Sequence, residues 1–85
     1  MKKITIYTGP MCNYCEAANR LLTRNNAPYE EIDVAKGDGA KDELIQKAKG
    51  KRTIPQIFFD DQHIGGYDEV RALEKENKLQ DLLKN

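Results

Sequence analysis

Two-thirds of the way along the chain stands Gln56-Ile57-Phe58-Phe59-Asp60. Three consecutive apolar residues between polar neighbours read as a strand buried on both faces, because a strand with one wet face would alternate. A sheet covered on both sides needs helices for both sides, and 85 residues must supply them. That length leaves room for one small domain spanning residues 1–85. A domain of this size hides only about 60% of its unfolded surface, so the core is thin but sufficient.

The other elements fit around that strand. Lys3 to Tyr7 alternates, with Ile4 and Ile6 on one face and Thr5 and Tyr7 on the other, and predicts a strand. Gly9-Pro10 punctuates the chain, and a helix is expected from Asn13 to about Asn25, with Tyr14, Ala17, Ala18, Leu21 and Leu22 on its packed face. A second strand runs from Tyr29 to Val34. Gly37-Asp38-Gly39 opens a second helix over Ala40–Lys49, which Gly50 ends. Asp60-Asp61 turns the apolar strand into Gln62-His63-Ile64 as a hairpin. Helices over Asp68–Glu76 and around Leu79, Leu82 and Leu83 follow. Strand, helix, strand, helix, hairpin and two helices assemble most economically as an α/β domain. Its four-stranded mixed sheet is flanked by helices.

Fourteen Lys+Arg balance fourteen Asp+Glu. A nucleic-acid or membrane-surface binder would carry a basic excess, so neither partner is expected. No apolar segment approaches the roughly 20 residues that span a bilayer. Met1 to Tyr7 lacks the apolar stretch of a secretory signal, which leads to the expectation of a cytoplasmic protein.

The chain has two cysteines, Cys12 and Cys15, placed where the first strand hands over to the first helix. A disulfide between them closes so short a loop that it stabilises little, so the spacing points to chemistry. Cys12 is expected to cap the helix, with backbone N–H groups of Tyr14 and Cys15 directed at its sulfur. An ordinary thiol has a pKa of about 8.5, and lowering it by two units takes about 2.7 kcal/mol. A helix N-terminus supplies up to about 2 kcal/mol in a favourable site, and hydrogen bonds to sulfur can supply the rest. Cys15, one turn inside, is expected to be more buried. Cys12 then attacks a disulfide and Cys15 resolves the mixed intermediate. Two alternatives stand beside thiol redox chemistry: inert core cysteines, and half of a zinc site with His63. The latter is short of ligands, because no second cysteine pair exists.

Over nearly its whole length the chain resembles the glutaredoxins. The resemblance is carried by Ile6-Tyr7-Thr8, Cys12-Asn13-Tyr14-Cys15, Arg52-Thr53-Ile54-Pro55-Gln56-Ile57-Phe58 and Gln62-His63-Ile64-Gly65-Gly66-Tyr67-Asp68-Glu69. It implies a thioredoxin-like fold and the reduction of protein disulfides and glutathione mixed disulfides, with glutathione as reductant. It also implies that Thr53-Ile54-Pro55 is a glutathione-binding segment, in which Pro55 is cis and the backbone of Ile54 pairs with bound glutathione. Gly66, Tyr67, Asp68 and Glu69 would hold the γ-glutamyl end, its carboxylate at a helix N-terminus and its ammonium on an acid side chain. Tyr14 would supply an aromatic edge beside the sulfur. Arg52, next to Thr53, and Lys51 would attract the glycine carboxylate. His63 is expected to be a solvated or hydrogen-bonded strand residue without a catalytic role. The implied partners are glutathione and oxidised or glutathionylated proteins, met by a monomer.

The chain departs from the usual family pattern at three places. Asn13 stands where proline is usual, Gly9 where many relatives carry lysine, and Tyr67 and Glu69 where many carry cysteine and aspartate. Relatives without that proline can hold a [2Fe-2S] cluster between two subunits with glutathione ligands, which makes a cluster carrier the alternative function. A redoxin served by a flavoprotein reductase fits less well, because the chain has neither tryptophan nor the thioredoxin-type motif.

Overall fold

The computed structural model describes residues 2–36, 39–51 and 53–84. The elements are β1 (Ile4–Thr8), α1 (Asn13–Arg24), β2 (Tyr29–Asp33), α2 (Ala40–Lys47), β3 (Gln56–Phe59), β4 (Gln62–Gly65), α3 (Tyr67–Lys75) and α4 (Leu79–Leu83). They form one four-stranded sheet in the order β2-β1-β3-β4. β1 and β2 are parallel, with Ile4 beside Tyr29 and Thr8 beside Asp33. β3 runs antiparallel to β1, with Ile6 beside Ile57, and β4 runs antiparallel to β3. The mixed sheet expected from the sequence is therefore present.

β3 is buried along its whole length, as its apolar run requires. Its residues alternate between two cores. Ile57 and Phe59 join Ile4 and Ile6 under Ala18, Leu21 and Leu22 of α1, Val70 of α3, and Leu79 and Leu83 of α4. Phe58 joins Tyr7 on the opposite face, under Leu44 and Ala48 and against the half-buried Ile32, Val34 and Ile54. The alternation in β1 thus sorts Ile4 and Ile6 from Tyr7 as expected, but Tyr7 enters a second core. Among the described residues, no helix is long and apolar enough to cross a membrane.

Three expectations need correction. Tyr14 does not pack inside: it is 63% exposed, and Cys15 takes the buried place in the first turn of α1. The Tyr67 ring, 5.9 Å away between centroids, is the aromatic neighbour of Tyr14. α2 ends at Lys47, and Lys49, with φ 58°, takes the first left-handed position after it, ahead of Gly50, with φ 91°, which the sequence had suggested for that place. The Gly50 N–H then closes back on the Ile45 carbonyl at 2.7 Å. α3 starts one residue early, at Tyr67, because Gly66 already serves as its N-cap. Gly37 and Asp38, expected to open α2, lie outside the described residues; Gly39 is the N-cap.

Candidate active site

β1 delivers the chain to its C-terminal end, and the Gly9-Pro10-Met11 segment turns it into α1. Cys12 is the N-cap of that helix, with extended backbone angles, φ −120° and ψ 100°. An N-cap side chain satisfies backbone donors that have no partner inside the helix. Here the acceptor is sulfur: the Cys15 N–H donates to Cys12 Sγ at 3.1 Å. Of the two amides expected around the sulfur, Cys15 is the one that makes this bond. Cys12 and Cys15 are joined by a disulfide, with 5.2 Å between their Cα atoms. Cys15 is 3% exposed, whereas Cys12 is only half-buried. The outer sulfur is thus accessible to an attacking or leaving group and the inner one is shielded. Met11 before it is fully exposed.

On the other side of Cys12 lies the Thr53-Ile54-Pro55 loop that leads into β3. The Ile54–Pro55 peptide is cis. The Ile54 carbonyl oxygen is 3.9 Å from Cys12 Sγ. Among the described residues nothing hydrogen-bonds the Ile54 N–H, so its backbone edge is open for another peptide.

The third wall is the start of α3. Gly65 has φ 132°, a conformation that strains any residue with a Cβ, and a Cβ there would meet the Glu69 side chain. A Cβ on Gly66 would come within 3.3 Å of the Pro55 carbonyl, so Gly66 lets the start of α3 approach the loop closely. The Glu69 carboxylate accepts the Gly66 N–H at 2.6 Å. That commits one oxygen of Glu69 to the helix start. The N–H groups of Tyr67, Asp68 and Glu69 are the first three of α3 and face outward from its end.

Between these walls runs an open groove of about 220 Å³. Its lining includes Tyr14, Thr53, Ile54, Pro55, Gly66, Tyr67, Asp68 and Glu69, together with Lys51 and Gln56. The structure therefore gathers the sequence-predicted residues in one place, beside Cys12. Arg52 lies outside the described residues.

Gln56 is the residue that sequence reasoning missed. Its side chain is 3% exposed and donates from Nε2 to the Thr53 carbonyl and the Thr53 hydroxyl, each at 3.0 Å. The signal was a polar residue heading an otherwise apolar buried strand. His63 Nε2 lies 2.6 Å from Gln56 Oε1, and its ring stacks on Phe58 with 4.9 Å between centroids. Burial, with Lys51 and Lys49 nearby, pushes the His63 pKa below its ordinary value.

Among the described residues, no group of three or more His, Cys, Asp or Glu could hold a metal ion. Toward a [2Fe-2S] cluster one chain presents a single accessible sulfur, Cys12, against the four ligands such clusters take. One chain alone therefore does not fill such a cluster; the bridged form would need Cys12 from two copies and two glutathione thiolates.

A sequence profile of the glutaredoxin family matches residues 4–64. Glutaredoxin 1 of Rickettsia conorii is 46% identical over 83 residues, covering 96% of this chain and 81% of that protein. Glutaredoxin 3 of Escherichia coli K12 is 42% identical over 84 residues, covering 99% of this chain and 100% of that protein. The solution structure of Brucella melitensis glutaredoxin superposes with a TM-score of 0.84 at 43% identity, over 99% of this chain and 90% of that one. The crystal structure of a buckwheat glutaredoxin–glutathione complex superposes with a TM-score of 0.85 at 27% identity, over 96% of this chain and 76% of that one. With its disulfide-linked cysteine pair at a helix start and its thioredoxin-like sheet, the chain belongs to the glutaredoxin family of thiol–disulfide oxidoreductases.

Proposed function

We propose that this protein is a glutathione-dependent oxidoreductase of the reducing cytoplasm that opens protein disulfides and glutathione mixed disulfides, with Cys12 as nucleophile and Cys15 as resolving thiol. The observation that carries this reading is the groove: it runs from beside Cys12, past the open backbone edge of Ile54, to the N-terminus of α3. Those features suit one extended tripeptide with an anionic group at each end.

The Ile54 N–H and carbonyl pair with the peptide backbone of glutathione. The N–H groups of Asp68 and Glu69 receive its γ-glutamyl carboxylate. Lys51, with Arg52, attracts the glycine carboxylate. One Glu69 oxygen already holds the Gly66 N–H, so the ammonium meets the exposed Asp68 carboxylate or the second Glu69 oxygen. Tyr14 and Tyr67, with 5.9 Å between their ring centroids, line the groove.

With the dithiol reduced, the Cys12 thiolate attacks the glutathione sulfur of a mixed disulfide and the protein thiolate leaves. The new Cys12–glutathione disulfide is opened in one of two ways. A second glutathione thiolate attacks the glutathione sulfur, releasing oxidised glutathione and the Cys12 thiolate. Alternatively, the Cys15 thiolate attacks Cys12 Sγ and expels glutathione, giving the Cys12–Cys15 disulfide seen here, which two glutathiones reduce. Each thiolate that leaves takes up the proton released when the next thiol ionises.

The test couples glutathione and glutathione reductase to a small glutathione mixed disulfide. Wild type and Cys15→Ser are expected to turn over, and Cys12→Ser is expected to lose at least about a hundredfold, because the attacking thiolate is gone. Turnover by Cys12→Ser, or none by wild type, would overturn the reading.

A further inference from the structure

His63 touches neither sulfur, but it ends a chain of hydrogen bonds that leads back to the groove. The Thr53 carbonyl can only accept, so the Gln56 amide must present its NH2 group there, and both amide hydrogens go to Thr53. Gln56 Oε1 then faces the imidazole, with 2.6 Å to Nε2. Two lone pairs cannot meet at that distance, so Nε2 must carry the hydrogen, leaving Nδ1 as the acceptor in the neutral ring. The stack on Phe58 fixes the plane of the imidazole. Gln56 is buried and has no solvent to replace a lost partner, so each bond in the chain constrains the next.

We infer that His63 is a positioning residue for glutathione: through Gln56 it holds Thr53, and so sets the backbone edge of Ile54 against which glutathione lies beside Cys12. The role rests on the glutathione-dependent activity proposed above. Without the His63 donor, the Gln56 carbonyl is left unpaired and its amide is free to rotate away from Thr53. The loop then samples arrangements that do not fit the peptide, and glutathione-bearing substrates bind less tightly. The chemistry at sulfur is untouched, because Cys12 keeps the Cys15 N–H.

Two variants separate the hydrogen bond from the packing. His63→Leu keeps apolar bulk on Phe58 and removes the donor, whereas His63→Gln removes the ring and restores a donor. Losing one buried hydrogen bond predicts a rise of about three- to tenfold in KM for a glutathione mixed disulfide in His63→Leu. Its kcat, and its rate of reducing a protein disulfide with dithiothreitol as reductant, are expected within about twofold of wild type, the size of a small fraction of one hydrogen bond. His63→Gln is expected to return KM to within about twofold of wild type on the same scale. Independently of turnover, nitrogen-15 NMR of the full wild-type chain is expected to find the neutral His63 ring protonated at Nε2. An Nδ1-protonated ring, an unmoved KM in His63→Leu, or a His63→Gln as impaired as His63→Leu would each overturn the inference. Those outcomes leave the glutathione reading standing. A wild type without activity on the mixed disulfide would overturn both.

Discussion

At Cys12 a single backbone position decides the chemistry. As N-cap, its sulfur accepts the Cys15 N–H at 3.1 Å, so the thiolate formed on reduction has a donor already aimed at it. No positively charged side chain reinforces that donor from position 9, which is glycine here. A Cβ on Gly9 would approach Ile54 Cδ1 to 2.8 Å, a contact with the free end of a side chain that can turn aside. Gly9→Lys is therefore expected to fold, with its stem over Ile54 and its ammonium near the groove. A cation about 6 Å from the thiolate contributes roughly 0.7–2.8 kcal/mol depending on screening, equivalent to a pKa lower by about 0.5–2 units. Ultraviolet titration of the thiolate in reduced Gly9→Lys, compared with wild type, checks this. An unchanged pKa at low ionic strength would contradict it. The sequence was informative about which sulfur caps α1, because a strand-to-helix junction dictates which cysteine takes that place. It was silent on Gln56 and His63, whose contact joins side chains seven positions apart on two strands and depends on the register of the hairpin.

Among the elements, α1 and α3 meet through one carboxylate. Glu74 accepts from Arg24 Nε at 2.9 Å and Nη2 at 2.6 Å, from Asn25 Nδ2 at 2.6 Å and from Arg71 Nη1 at 3.0 Å. With a side chain 18% exposed and a two-pronged arginine partner, it exceeds an ordinary surface pair. The hydrogen bonds from Arg24 first, then Asn25, hold its pKa at about 2 against an ordinary 4.5. A carboxyl depressed on folding adds stability above its unfolded pKa and loses it as pH falls toward the folded one. Glu74→Gln is thus expected to lower unfolding stability at neutral pH by about 1–2 kcal/mol, discounted because Arg24 and Arg71 are partly solvated. The gap to wild type should begin to close below about pH 4.5 and vanish near pH 2 in urea melts at stepped pH. A pH-independent gap would show that packing, and not the ionised carboxylate, joins the helices. The helices themselves were legible from periodicity to within a residue or two. Their ends were less so, because α1, α2 and α3 all close with a left-handed residue that is not glycine: Asn26, Lys49 and Asn77. In each, the following N–H reaches back to the last turn, at Leu22, Ile45 and Leu73. Composition favours Gly50 for that place, yet the return of the chain puts Lys49 there.

Across the whole molecule, the apolar run of β3 made the layered architecture legible, since a strand buried on both sides demands cover on both sides. It could not say how unequal the two covers are. Eleven buried residues, drawn from the sheet, from α1, α3 and α4 and, with Ala27, from the loop after α1, fill one side. Among the described residues, the apolar cluster on the other side has Tyr7, Leu44, Ala48 and Phe58 as its buried members, under α2. α2 adds a hydrogen bond from the Tyr7 hydroxyl to Glu43 at 2.9 Å, and Glu43 is exposed. Regions with few buried apolar contacts open at lower free energy than the core. α2 is therefore expected to unfold locally while the sheet stays intact. The consequence reaches the groove, because Ile54 and Val34 pack on this thinner side, and Ile54 also borders Cys12. Native-state hydrogen exchange tests the order of opening. Amides of α2 should exchange through a small opening that depends weakly on urea, while those of β1 and β3 exchange only with global unfolding. Equal protection free energies and equal urea dependence for α2 and β1 would mean that the thin layer is as cooperative as the thick one, and that the loop bearing Ile54 draws no mobility from the helix beneath it.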